Sequence, residues 1–205
     1  WRCVSDGVAR AMALHARYRG CNPLPRATRS HVQPAPTCNP LPRAPTGFGV
    51  MRLLYITYKV DSRDSLVGYA VGWINGLAAQ MDRVEVICLA AGEAQLAPNV
   101  RVHSLGKERG AGRADRAINF YRALWALRSS VDVVFCQFSP EYVLLVAPFA
   151  KWKRWPIALW YTHRHVSWRL RLATALADRI VTASPESFQL QSPKTRVIGH
   201  GIDTA

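Results

Sequence analysis

From Met51 onward, short apolar runs alternate with amphipathic stretches, and this alternation restricts the possible folds more than any other feature of the chain. The runs are residues 51–57, 83–90, 100–105, 131–137, 156–162, 180–183 and 195–198. The first, MRLLYIT, is apolar at consecutive rather than alternate positions, as a strand is when both of its faces are covered. Between the first two runs, Leu66, Tyr69, Ala70, Trp73, Ile74 and Leu77 recur at helical spacing. A second helix is predicted over 114–128, with Ala117, Phe120, Tyr121, Leu124 and Leu127 on one side, and another over 166–179. Strands separated by helices require right-handed crossovers, which give a mostly parallel sheet covered on both faces. The expected class is therefore α/β, a doubly wound Rossmann-like sheet, whose ligands bind beyond the carboxyl ends of the strands.

Helix starts carry local signals. Asp64 and Ser65 are N-cap candidates for the first helix. Ser139-Pro140-Glu141 places a cap, a proline at the first helical position and an acid in the first turn, and Ser184-Pro185-Glu186 repeats that signal.

The first fifty residues are a different kind of sequence. The 205-residue chain carries a net charge of +14, from 27 basic and 13 acidic residues. Residues 1–50 hold seven arginines, one acid (Asp6), seven of the thirteen prolines and three of the five cysteines. The heptapeptide 21–27 recurs at 38–44, too short and too few for a solenoid repeat. Proline at alternate positions favours extended chain without a core. Cys3, Cys21 and Cys38 lack the paired spacing of a zinc site. A targeting peptide and a functional basic tail remain open, but the favoured expectation is an unstructured extension, or upstream sequence ahead of a natural start at Met51. The domain organisation read here is residues 1–50 as that extension and 51–205 as one Rossmann-like domain.

Composition excludes several classes. At 49% hydrophobic residues the chain is too apolar to be disordered throughout, and no apolar run reaches the length of a membrane span. Five scattered cysteines do not make a disulfide scaffold; Cys88 and Cys136 lie within apolar runs and read as small buried hydrophobes. No Gly-x-Gly-x-x-Gly follows the first strand, and neither a P-loop nor a Gly-x-Ser-x-Gly elbow is present. Gly110-Ala111-Gly112 reads as a flexible connection. No metal site is expected.

Four segments carry candidate chemistry. Tyr161-Thr162-His163-Arg164-His165 follows the fifth strand; imidazole exchanges a proton near neutral pH, and Arg164 suits a phosphate or carboxylate. Its alternative role is a solvated basic loop before a helix. Ser62, Asp64 and Ser65 set hydroxyls and a carboxylate at a helix start, where capping alone is the competing reading, and Ser139 and Glu141 do so after the fourth strand. Lys151-Trp152-Lys153-Arg154-Trp155 interleaves cations and aromatics, which suits an anionic membrane surface. Stacking on single-stranded nucleic acid, or a solvated helix end with tryptophan turned inward, would use the same residues.

The C-terminal third resembles a known family. The segment 176–184 (LADRIVTAS) followed by 194–203 (KTRVIGHGID) is similar to the end of the N-terminal domain of family 4 glycosyltransferases, and MRLLYI matches their opening strand. The resemblance implies a GT-B architecture of two Rossmann-like domains, of which this is the acceptor-binding, N-terminal half. It further implies sugar transfer from a nucleotide-sugar with retention of configuration, to a lipid-linked or polysaccharide acceptor, with no cofactor or metal beyond the donor. By position His163, with His165 as alternative, matches a histidine near the reacting sugar, and the loop from Tyr58 to Ser65 matches the acceptor loop. Gly68 and His200 would lie near the donor; the family often has paired glycines in the first loop and asparagine in place of His200. The donor-binding domain would be the missing partner, and the chain alone would be inactive. A cytoplasmic location, peripheral to the inner face of the membrane, is expected. A non-catalytic Rossmann-like binding module and a basic nucleic-acid-binding protein are the alternatives, the latter disfavoured because the charge beyond Met51 falls to +8.

Overall fold

The computed structural model describes residues 51–199. The expectations for residues 1–50, including Cys3, Cys21 and Cys38, and for His200 lie outside the described residues.

The described chain runs β1 (Arg52–Val60), α1 (Tyr69–Ala78), β2 (Arg83–Ala91), β3 (Val100–Ser104), α2 (Arg113–Ala126), β4 (Val133–Gln137), α3 (Pro140–Lys153), β5 (Ile157–Trp160), α4 (Trp168–Leu176), β6 (Arg179–Thr182) and β7 (Thr195–Val197). The seven strands form one sheet in the order β3-β2-β1-β4-β5-β6-β7. Every neighbouring pair is parallel. The expected doubly wound Rossmann-like sheet is thus the observed one, and it is parallel throughout.

Burial on both faces explains the unbroken apolar runs. Leu53 and Tyr55 face one side with Phe135, Trp160 and Val181, under Trp73, Ile74 and Leu77 of α1. Leu54 and Ile56 face the other with Val134, Cys136 and Ile180, under Phe120 and Leu124 of α2, Val143 and Val146 of α3, and Leu170 of α4. The Trp73 and Trp160 rings meet edge to face at 4.8 Å. Cys88 and Cys136 are buried free thiols, as expected, and burial pushes the Cys88 thiol up to about 12, far from a reactive thiolate.

At the amino edge of the sheet, three aspartates that immediately precede strands each bind the opening of a neighbouring strand. Asp82 accepts from the Met51 amide, Asp132 from the Arg52 amide at 2.9 Å and Asp178 from the Ile157 amide at 2.8 Å. Their own amides donate back to the carbonyls of the same residues, at 3.0, 2.9 and 2.8 Å. Asp178 is the aspartate of the segment 176–184 on which the family resemblance rests, so its local role here is to join β5 to β6.

Several boundaries differ from expectation for identifiable reasons. The first helix begins at Tyr69 rather than beside Asp64, because residues 61–67 form turns first. Asp64 caps those turns: its Oδ1 accepts from the amides of Leu66 and Val67 at 2.9 and 3.0 Å. Ser184-Pro185-Glu186 opens only a single 3-10 turn, Pro185–Ser187, because Phe188 is extended and buried against Tyr161, at 6.2 Å between rings. Gly110-Ala111-Gly112 is not a loose connection. Gly106 and Gly110 adopt left-handed φ of 91° and 77° around a 3-10 turn, and Gly112 caps α2 with its amide on Asp115. Trp155, expected on the surface with its basic neighbours, is only 6% exposed and belongs to the core beneath α3. The left-handed Arg154 (φ 58°) ends that helix and turns the chain inward.

Candidate functional site at the carboxyl edge

All strands run the same way, but the order in which the chain adds them reverses between β1 and β4, which opens a crevice at their carboxyl ends. The loops after β1, β4 and β5, three adjacent strands, therefore converge there. They carry Ser62, Asp64 and Ser65, then Ser139 and Glu141, then His163, Arg164 and His165.

The β1 loop is braced by its own charges. The Lys59 ammonium lies 3.0 Å from Asp61 and 2.9 Å from Asp64. Lys59, helped by the Leu66 and Val67 amides, holds the Asp64 carboxyl down to about 2, and Lys59 likewise lowers Asp61. The Ser62 hydroxyl donates to the Glu93 carbonyl at 2.8 Å, and Arg63 pairs with the Glu93 carboxylate at 2.7 Å. Ser65 is exposed. Gly68 ends the loop, and a Cβ there would sit 2.5 Å from the Asp64 carbonyl oxygen. Its missing side chain thus lets the turn close against α1.

The β4 loop contains one of the two non-glycine residues of the described chain with a left-handed backbone, the other being Arg154. Phe138 has φ of 62°, uncommon for any residue with a Cβ and costly for a bulky one. The Ser139 amide donates back to the Gln137 carbonyl at 2.8 Å across it. In this conformation the Phe138 ring lies 6.0 Å from Tyr69 at the start of α1 and 5.9 Å from His163. Beneath it, the Thr57 hydroxyl donates to Gln137 Oε1 at 2.7 Å. Gln137 Nε2 and the Trp160 indole N–H face no acceptor, although the two residues are only 2% and 1% exposed. Gln137 and Trp160 are directly paired across β4 and β5, so two buried donors sit side by side at this edge.

Ser139 occupies the N-cap of α3, as expected, yet its hydroxyl donates to Glu141 Oε2 at 2.7 Å rather than accepting from the backbone. Arg169 of α4 reaches the other Glu141 oxygen at 3.3 Å, joining the starts of α3 and α4. Partial burial pushes the Glu141 carboxyl up, but Ser139 and Arg169 outweigh it, so the group stays below the ordinary range and ionised.

In the β5 loop His163, Arg164 and His165 are all exposed. The His163 ring also contacts Tyr161 at 5.5 Å, and the Tyr161 hydroxyl pins the loop by donating to the His165 carbonyl at 2.9 Å. In the next loop the Glu186 carboxyl is lowered by its own backbone amide and the Ser184 hydroxyl, with a smaller part from the charge of Arg164. At the far corner the Lys107 ammonium contacts the Tyr58 hydroxyl and lies 4.6 Å from the centre of its ring.

The topology does not bring residues 151–155 to this edge, since α3 carries them to the opposite one. Among the described residues no cluster of histidine, cysteine and acidic side chains could hold a metal, and no helix is long and apolar enough to cross a membrane. The sequence marks the loop 137–141 as a whole but gives Gln137 and Phe138 no role of their own, and it does not mark Arg169. A glutamine closing the apolar run 131–137 was a usable signal for Gln137, whereas nothing local marks the turn at Phe138.

No family model and no curated protein matches the chain. Solved structures do. HepE of Anabaena, in complex with UDP and glucose, is 18% identical with a TM-score of 0.51, over 75% of this chain and 45% of that one. MurG of Acinetobacter baumannii is 13% identical with a TM-score of 0.51, over 75% of this chain and 47% of that one. The lipopolysaccharide outer core galactosyltransferase WaaB, in its apo form, is 12% identical with a TM-score of 0.51, over 76% of this chain and 47% of that one. At these identities the likeness is one of fold, the Rossmann-like sheet of GT-B glycosyltransferases. The chain spans less than half the length of each.

Proposed function

We propose that the chain is the acceptor-side half of a retaining, family 4-type glycosyltransferase. On this reading it moves a sugar from a nucleotide-sugar to a lipid-linked or polysaccharide acceptor. The observation that carries the reading is Phe138. A bulky side chain is held in a left-handed conformation at the sheet's reversal point, between Tyr69 and His163, and strain of this kind concentrates at functional sites. The likeness in fold to glycosyltransferases, one of them in complex with UDP and glucose, supports the class of reaction.

His163 is the catalytic candidate, with His165 the alternative. An exposed imidazole beside an aromatic wall can exchange a proton with, or hydrogen-bond to, a sugar hydroxyl near neutral pH. Ser62, Asp64 and Ser65, with Ser139, Glu141 and Arg164, form the acceptor surface. Asp64 and Glu141 serve as ionised acceptors for hydroxyl groups. Gly68 and, from its place in the family's sequence pattern alone, His200 are assigned to the donor, which a second domain binds in the main, and transfer needs no metal. The protein acts on the cytoplasmic side.

Saturation-transfer NMR with the chain, UDP-glucose and a panel of oligosaccharides tests the reading. Transfer of saturation to an oligosaccharide, lost in His163→Ala and Phe138→Ala, supports it; a folded chain that contacts none of the sugars refutes it. Product formation by the chain alone would instead overturn its assignment as half an enzyme.

A further inference from the structure

We propose that the outer surface of α2, α3 and α4 docks onto an anionic lipid bilayer. Seven of the eleven large hydrophobic residues that stand exposed in the described chain lie on these three helices, all of which cover the same face of the sheet. In the last turns of α2 and α3, Trp125 and Trp152 are 56% and 60% exposed and stack on each other at 5.9 Å with only 8° between their planes. Phe149 meets the edge of Trp152 at 5.2 Å. Arg128 lies over the Trp125 ring at 5.0 Å and Lys153 over Trp152 at 5.2 Å. Trp168, 66% exposed, stands at the start of α4, toward the other end of the same helical face.

The charge selects the partner. These helices and the residues just after α2 and α3 carry nine cations: Arg113, Arg116, Arg122 and Arg128; Lys151, Lys153 and Arg154; Arg169 and Arg171. Only Asp115 and Glu141 oppose them, and Glu141 is already paired with Arg169. Indoles with cations held against them match the interfacial zone, where rings sit at headgroup depth and basic groups meet lipid phosphates. A second copy of the chain would meet the same uncompensated positive charge. Single-stranded nucleic acid needs open aromatic faces for its bases, whereas each of these two indoles already has the other ring and a cation against it. The surface differs from the run 151–155 read in the sequence: Trp155 drops out into the core, and Trp125 and Arg128 of another helix replace it. Because Trp168 follows directly on the loop with His163, a bilayer on this face meets the carboxyl edge at its rim. The inference holds whether or not the chain takes part in sugar transfer.

Flotation of the full chain with phosphatidylglycerol vesicles and with phosphatidylcholine vesicles tests it. Binding is expected to phosphatidylglycerol and to be weak to phosphatidylcholine. At about fivefold per cation near an anionic surface, the triple variant Lys151→Gln, Lys153→Gln, Arg154→Gln should partition on the order of a hundredfold more weakly. Trp125→Ala with Trp152→Ala should also weaken binding and remove most quenching of tryptophan fluorescence by brominated lipid. Both variants alter surface side chains and should keep the wild-type melting curve. Binding that survives both variants belongs to the arginine-rich first fifty residues and overturns the proposal. Equal binding to phosphatidylcholine overturns it too, as does tighter retention on single-stranded DNA, or a lipid-free self-association that the tryptophan variants abolish.

Discussion

The Thr57 hydroxyl donates to the Gln137 side-chain oxygen across 2.7 Å, tying β1 to the end of β4 where the strand order of the sheet reverses. Both residues are buried. Thr57→Val would leave Gln137 Oε1 without a donor in the core, at a cost of about 1–3 kcal/mol. Replacing both, as Thr57→Val with Gln137→Leu, removes the stranded group and should cost less than the sum of the single changes. Denaturant unfolding of the four chains checks this, and strictly additive losses would contradict the coupling.

Gly68 adopts ordinary helical φ and ψ of −57° and −30°, so propensity alone predicts that alanine would stabilise it by about 1 kcal/mol. A Cβ would meet the Asp64 carbonyl oxygen at 2.5 Å, an impossible approach to rigid backbone. The clash should win. Gly68→Ala is expected to destabilise by about 1–3 kcal/mol, with faster amide exchange over residues 61–70.

Phe138 should invert the usual ranking of substitutions. At φ of 62° glycine is unstrained, whereas alanine keeps the clash between Cβ and carbonyl, worth roughly 1–2 kcal/mol. Phe138→Gly is therefore expected to be more stable than Phe138→Ala, although both lose the ring contacts with Tyr69 and His163. Paired thermal melts would settle the order.

The brace formed by Lys59, Asp61 and Asp64 should persist over a wide pH range. The Asp64 carboxyl titrates near 2 when folded, against about 3.9 in an unfolded chain. Its contribution is thus complete above roughly pH 4 and disappears as pH falls through the folded value. Lys59 is shifted upward, by its bonds to Asp64 and then Asp61. Its contribution is complete below the unfolded value of about 10.4 and disappears as pH rises through the folded one. A carboxyl-carbon NMR titration should find Asp64 among the last carboxylates to take a proton, and Lys59→Met should move it back up.

Lys194 closes the end of α4. Its ammonium donates to the carbonyls of Thr174, Ala175 and Ala177 at 3.2, 2.9 and 2.8 Å, groups left open by the last turn of the helix. Lys194→Met keeps the stem but removes the charge, and should cost about 1–2 kcal/mol. Hydrogen exchange should rise first in 168–177.

Much of the fold was legible in the sequence because local physics writes it there. Strands buried on both faces require consecutive apolar residues, and all seven runs became strands, β1 and β2 longer than read, β6 shifted by one residue and the other four trimmed by a residue or more. Ser139-Pro140 marked a true helix start, whereas the same signal at Ser184-Pro185 ended after one turn because Phe188 is drawn into the core. The aspartates at 82, 132 and 178 each immediately precede a strand only in the folded chain, since Asp132 lies inside the apolar run 131–137 and Asp178 two residues before the run 180–183. Their purpose emerges only when the neighbouring strand is in place.

The sequence by itself determined the α/β class, the strand and helix alternation and the loops in which polar chemistry collects. Spacing of 2 or 3.6 residues and capping chemistry act over a few residues, and these suffice. Tertiary structure alone decided which loops meet. The pairing of Thr57 with Gln137 and of Arg52 with Asp132 spans 80 residues in each case and depends on β4 inserting beside β1. The left-handed turn at Phe138, the inward rotation of Trp155 and the stacking of Trp125 on Trp152 follow from the same sheet order. Contacts of that range are fixed by which surfaces are buried together, and no local spacing encodes that choice.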